Sequence, residues 1–334
     1  MKKRFLSQKY KKYNARKSKK AIALRKKPKH KRQIKRATNN IRKRNKYAPV
    51  VSMKAPSDYS VVFNTEETIK YYNSVHGLLS QGTRVLFDIS EIETLTTDAI
   101  AVQIAKIHDK RYNCLTPIYG NAPKKSALAD LFIHSGFYDF VRVKGAKPDS
   151  SSRMIHEMTA NKVEPDIAKE VCLLGVKHTF GNCNILESLY DIIIEVMQNT
   201  NNHAGDKRGK YDWWLHVYNH PDSKKTSYTF LDLGVGVFNS IPVKTFKRQF
   251  MKFFNLTSNV DLVPKLFAGD IKSRTSRPER GKGMPQIFEC SQNNAFTTFI
   301  MISNDVYADL KTKSYKSLST KFAGTLFYWE IDNC

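Results

Sequence analysis

Ile-Leu-Glu-Ser-Leu-Tyr-Asp-Ile-Ile-Ile-Glu-Val-Met-Gln-Asn-Thr-Asn-Asn-His spans residues 185–203, and its spacing decides what fold the chain can adopt. Leu186, Leu189, Tyr190, Ile193 and Met197 recur at helical intervals, so a helix gathers them into one apolar stripe. Glu195, Asn199 and His203 stand at i, i+4 and i+8 and form one polar row largely opposite that stripe. A helix lying on a sheet through its stripe offers the row to a ligand. Acid plus amide on one rigid face can set a general base and a Mg2+-binding oxygen beside a phosphate chain. The ordinary alternative is a solvated face.

Downstream, residues 213–218 and 227–231 read as aromatic strands. Phe230-Leu-Asp232-Leu-Gly234-Val-Gly236 then sets an acid at a strand end and two glycines where the backbone turns, so a flat base can approach without a Cβ in the way. Arg280-Gly281-Lys282-Gly283-Met284 is a second glycine pair before a helical stretch at 285–290, whose N-terminal amides suit phosphate oxygens. Residues 295–303 and 323–331 read as two more strands, the last containing Gly324-Thr325.

Taken in this order over about 182–332, these four segments resemble the Bergerat-fold ATP-binding family, which includes gyrase, heat-shock protein 90, histidine kinases and MutL. The resemblance implies roles for single residues. Glu195 activates a nucleophile, Asn199 binds Mg2+ and His203 belongs to the nucleotide site. Asp232 hydrogen-bonds the adenine amino group beside Gly234, Gly236 and Thr325, while Gly281, Lys282 and Gly283 line the phosphates. The Glu-x-x-x-Asn-x-x-x-His pattern is most similar to the anti-sigma-factor serine kinases. Residues 238–279, with Lys272, Arg274 and Arg277, read either as a lid over the nucleotide or as a basic surface loop.

Upstream, short strands at 61–63, 84–88 and 117–120 alternate with helical stretches at 65–79, 97–110 and 126–134, which implies a sheet with helical crossovers. Asp88-Ile-Ser90, Thr97-Asp98-Ala99-Ile100 and Leu131-Phe-Ile-His-Ser-Gly136-Phe137 resemble the STAS domain of anti-sigma-factor antagonists over about 58–143. In that family a serine at the start of the second helix accepts phosphate; here Asp98 stands at or next to that position, with the Thr97 hydroxyl beside it. Asp98 reads as the helix's capping residue, or as a fixed imitation of phosphoserine. The domain then docks on its own ATP-binding domain or on a protein partner.

The chain has 334 residues and a net charge of +26, carried unevenly. Residues 1–48 hold 22 Lys/Arg and no acid, leaving 34 basic against 30 acidic residues in the remainder. A segment so charged and so poor in apolar side chains reads as disordered. With Phe5, Tyr10, Tyr13 and Tyr47 interleaved, it suits nucleic acid; an anionic membrane surface, an organelle address or plain solvation are the alternatives. The expected organisation is α/β throughout: a basic tail (1–50), a STAS-like domain (55–147), a linker and start of the second domain (148–180), and an α/β-sandwich ATP-binding domain (181–334).

No transmembrane run and no signal peptide are legible, and five cysteines without a C-x-x-C pair argue against a disulfide framework, so a cytoplasmic protein is expected. The cofactors implied are ATP and Mg2+, and a homodimer is common in the resembled family. Trp213 and Trp214, adjacent in a strand, are expected to face one into the core and one outward. Three mechanisms stay open: an ATPase, a Ser/Thr protein kinase, and a non-catalytic nucleotide-dependent switch. Hydrolysis or switching ranks first, because Asp98 is not a phospho-acceptor.

Overall fold

The structure, a computed structural model, describes residues 49–109, 118–141, 153–157, 163–203, 212–241, 251, 256–271 and 283–333. It is mixed α/β. In chain order the elements are β1 (Val50–Lys54), β2 (Asp58–Tyr59), α1 (Thr65–Ser80), β3 (Arg84–Asp88), β4 (Thr94–Leu95), α2 (Thr97–His108), β5 (Ile118–Gly120), α3 (Ser126–His134), β6 (Arg153–Glu157) and α4 (Pro165–Phe180). They continue with α5 (Glu187–His203), β7 (Trp213–Asn219), β8 (Lys225–Asp232), α6 (Val237–Ser240), α7 (Leu262–Phe267), α8 (Gly283–Ser291), β9 (Phe296–Asp309) and β10 (Ser314–Asp332). A small parallel sheet has the order β1-β3-β5, and a large antiparallel sheet the order β6-β7-β8-β10-β9; β2 and β4 form a separate pair.

Helix α2 explains how the two main sheets come together. Every residue from Thr97 to Lys106 is buried, whereas a helix lying on one sheet keeps a wet face. Helix α2 crosses over between β3 and β5 of the small sheet and also packs on β7 and β8 of the large one. The apolar cluster around Val85, Phe87 and Ile100 therefore continues into Trp214, Leu231, Ile302 and Leu326 of the large sheet. Polar contacts join the same parts: Thr97 Oγ1 lies 3.1 Å from Ser227 Oγ, Asn73 Nδ2 donates to the Lys321 carbonyl at 3.0 Å, and the Ser319 amide donates to Glu66 at 3.2 Å.

The opposite face of the large sheet carries α4, α5 and α8. Their cluster with the sheet includes Val171, Leu189, Ile193, Trp213, Phe230 and Trp329. Tyr228, Trp329 and Phe299 stack nearly parallel through this core, at interplanar angles of 8° and 11°. Helix α4 opens with Pro165 in its first turn and closes at Gly181 in the left-handed conformation, the usual placement of the two residues.

Several expectations need correction. Residues 61–63 form a turn, because the amides of Val61 and Val62 donate to Asp98 Oδ2, at 2.6 and 3.1 Å, and join no ladder. Asp98 therefore does not cap its own helix; Thr96 occupies the N-cap position, and the Asp98 carboxylate pins a separate segment. That carboxylate is fully buried, and burial raises its pKa. It offers a partner no exposed imitation of phosphoserine in this arrangement. Within 148–180, expected as linker and start of the second domain, edge strand β6 and helix α4 belong to the large-sheet layer. Trp213 and Trp214 are both buried, since each face of β7 is covered. Within 238–279, Phe238 and helix α7 are buried against the α8 side; Lys272, Arg274, Arg277 and Arg280 lie outside the described residues. So does the basic tail. Among the described residues no helix is long and apolar enough to cross a membrane.

His216 gives this packing a pH dependence. It sits on β7, is fully buried, and is pushed down to about 4, chiefly by burial, despite hydrogen bonds with the backbones of Ser135 and Thr97. The unfolded chain takes up this proton near pH 6.5, so the contribution is complete above that pH and lost as pH falls toward 4, on the order of 3 kcal/mol. The urea midpoint should drop across this window, and His216→Gln should flatten the drop. An equal drop in both proteins would show that other groups govern acid unfolding.

Candidate functional site

The site is organised by the end of β8. Strand register sets Trp213, Asp232, Thr325 and Ser303 side by side across β7, β8, β10 and β9. This row faces α5, because Phe230 and Trp213 of the same face belong to the helix-side core. From α5, Thr200 Oγ1 reaches Asp232 Oδ2 at 3.3 Å, and the Gly234 amide donates to Asp232 Oδ1 at 2.7 Å. Burial raises the Asp232 carboxyl to about 6, partly offset by these two donors and the Thr325 amide.

The glycine turn after Asp232 is fixed from β9. Ser303 Oγ accepts from the Val237 amide at 2.8 Å. Asn304 clamps both sides of the turn: Nδ2 donates to the Val235 carbonyl at 2.9 Å and Oδ1 accepts from the Phe238 amide at 3.1 Å. Gly236 has φ of 80°, and a Cβ there would come within 2.5 Å of the Asn304 amide nitrogen. Only glycine fits both the dihedral and the clamp.

A second group lies along α5. Leu189, Ile192, Ile193, Val196, Met197 and Thr200 are buried, leaving Asp191, Glu195 and Asn199 half-buried at the side of the helix. The row is only partly open to solvent. Helix α8 lies along it, with Gln286 Nε2 donating to Asp191 at 3.4 Å and Met284 Sδ 3.8 Å from Asn199 Nδ2. Gly283, the first residue of α8, sits so close that a Cβ would be 2.6 Å from Glu195 Oε2 and 3.3 Å from Asn199 Oδ1. Burial, and secondarily Asp191, raises the Glu195 pKa. Burial, with the nearby carboxylates, pushes the Cys290 thiol up to about 11.

Asp232, Gly234, Gly236 and Thr325 thus come together in one group, and Glu195, Asn199 and Gly283 in another. Helix α5 joins them, since Asn199 and Thr200 are consecutive. His203 lies at the end of α5, its side chain outside the described residues, as are Gly281 and Lys282. Thr97 and Asp98 are on the other side of the large sheet: Thr97 bonds Ser227, which points opposite to Asp232 along β8. Sequence reasoning missed Thr200, Asp191, Ser303 and Asn304. Thr200 and Asp191 were findable as helical neighbours of Asn199 and Glu195. Ser303 and Asn304 reach the turn only through pairing of distant strands.

Among the described residues no group of three or more His, Cys, Asp or Glu comes together as a metal centre would require. Comparison with models of known protein families and with curated protein sequences returns no match.

Proposed function

We propose that residues 182–332 form an ATP- and Mg2+-binding site of the Bergerat kind beside a STAS-like domain, and that the protein is a nucleotide-dependent regulator or effector. It hydrolyses ATP or changes conformation on binding it. The observation that carries this reading is the pairing of two groups along α5: a buried acid beside a glycine turn, and an acid and amide against the start of α8.

In this reading the Asp232 carboxylate accepts the adenine amino proton, Thr325 lies beside the base, and Gly234 and Gly236 let it approach. Gly281, Lys282 and Gly283 with the first amides of α8 hold phosphate oxygens, as helix N-termini do. Glu195, its proton affinity raised by burial, takes a proton from the attacking water. Asn199 Oδ1 also faces Gly283, and a hard oxygen donor of this kind fits Mg2+, which would offset phosphate charge.

ATP labelled in its γ-phosphate, incubated with the intact protein, should yield labelled inorganic phosphate. Transfer of label to protein would instead favour the kinase reading. The buried contact of Thr97 with Ser227, on the sheet face away from Glu195, speaks against Thr97 as an acceptor. Thr97→Val should therefore leave phosphate release unchanged, and label recovered on Thr97 would overturn that expectation.

A further inference from the structure

The C-terminal end of α8 is held by the turn between β9 and β10. The last four carbonyls of an α-helix have no intrahelical partner, and in α8 they belong to Phe288, Glu289, Cys290 and Ser291. The Phe288 carbonyl accepts from Ser291 Oγ at 2.6 Å, that of Glu289 from the Gln292 amide at 3.1 Å, and that of Cys290 from the Asn293 amide at 3.1 Å. The helix and the residues just after it supply these three donors. The Ser291 carbonyl is met from a separate segment: Lys311 Nζ, in the β9–β10 turn, donates to it at 3.2 Å and to the Asn293 carbonyl at 3.2 Å. Lys311 is itself placed by its amide, which donates to Asp309 Oδ1 at 2.9 Å.

The same turn grips α8 in two more places. Gln292 Nε2 donates to the Leu310 carbonyl at 3.0 Å, and Lys313 Nζ lies 5.8 Å from the centroid of the Phe288 ring, which stacks on Phe267 of α7. A helix of nine residues is too short to hold its own shape and place, and between its ends α8 fully buries only Ile287 and Ser291. A lysine at its C-terminus supplies donors and also faces the negative end of the helix dipole. At the opposite end of this rod, about 13 Å away, Gly283 and Met284 lie against Glu195 and Asn199. We propose that Lys311 is a positioning residue for the phosphate end of the α5 site: by fixing the C-terminus of α8, it keeps the first amides of that helix where phosphate oxygens bind. This rests on the ATP-binding reading above and adds a division of labour to it. Asp232 and Thr325 answer for the base, and the β9–β10 turn, through α8, answers for the phosphates. A lysine that merely caps a surface helix would affect every ligand of the site alike.

The test is thermal stabilisation of the intact protein by ATP, AMP and adenosine, each over a concentration series at fixed Mg2+. Lys311→Met keeps the length of the side chain and removes the ammonium. It should weaken ATP by about fivefold, the scale of one cation at a helix C-terminus, leave adenosine unchanged and affect AMP to an intermediate extent. Lys311→Arg keeps the charge and the donors and should restore ATP binding. In the ligand-free protein, amide hydrogen exchange across residues 284–291 should be faster in Lys311→Met and ordinary in Lys311→Arg. The proposal is overturned if Lys311→Met binds ATP as tightly as the unmodified protein, if it loses ATP and adenosine by the same factor, or if Lys311→Arg fails to restore the difference. The two readings fall separately. An unmodified protein that binds none of the three ligands removes the α5 site and this role of Lys311 with it, whereas ATP binding that is indifferent to Lys311 leaves the site standing without this support.

Discussion

Glu195→Gln should lower release of inorganic phosphate from ATP by about a thousandfold while leaving ATP binding intact, the scale of a positioned general base. The carboxylate is half-buried, and both its burial and the neighbouring Asp191 raise its pKa. A base so tuned holds a proton more readily than an exposed glutamate does. Glutamine keeps the shape that packs against Gly283, so the variant separates proton transfer from packing. The unmodified rate should also rise with pH as Glu195 loses its proton, and that limb should vanish in the variant. Single-turnover assays with labelled ATP read the chemistry, and calorimetric titration reads the binding. Turnover that survives the substitution would make Glu195 structural and strengthen the switch reading.

What the sequence disclosed was local. The stripe from Leu189 to Met197 and the acid-amide pair Glu195 and Asn199 lie on one helix, where 3.6-residue periodicity alone relates them. The helix at 126–134 and the turn at Gly136, whose φ is 78°, were legible for the same reason. What stayed hidden depends on distant segments. Ala99-Ile-Ala-Val-Gln-Ile-Ala105 is apolar nearly all round; that was a signal that α2 lies between two layers, and periodicity on one face did not exploit it. Asp98 looked like a cap because acids favour helix starts, yet its true partners, Val61 and Val62, are in another segment. Strand β1 stood at the end of a basic run whose composition masked it. Asn304 clamps a turn some seventy residues earlier in the chain, a relation only the pairing of β8, β10 and β9 creates.

The unmodified protein should prefer ATP over GTP by about a thousandfold, and Asp232→Asn should abolish that preference, because a buried polar group left mismatched by the wrong ligand costs heavily. An ionised carboxylate only accepts hydrogen bonds, which suits the adenine amino group and repels the guanine carbonyl; a carboxamide can meet either. The exchange is mild for the fold. The asparagine oxygen can keep the Gly234 amide, now 2.7 Å from Asp232 Oδ1, and its NH2 can donate to Thr200, whose hydroxyl also lies 3.2 Å from the Val196 carbonyl and can donate there. Because burial raises Asp232 to about 6, the carboxyl gains a proton, and with it a donor, as pH falls through that value. Discrimination by the unmodified protein should therefore weaken below about pH 6 and strengthen above it, while the variant stays indifferent to pH in this range. Thermal unfolding with each nucleotide, repeated at pH 5 and pH 7.5, measures both effects. Equal stabilisation of the unmodified protein by ATP and GTP at the higher pH would remove Asp232 from the base-binding role, and with it the adenine site.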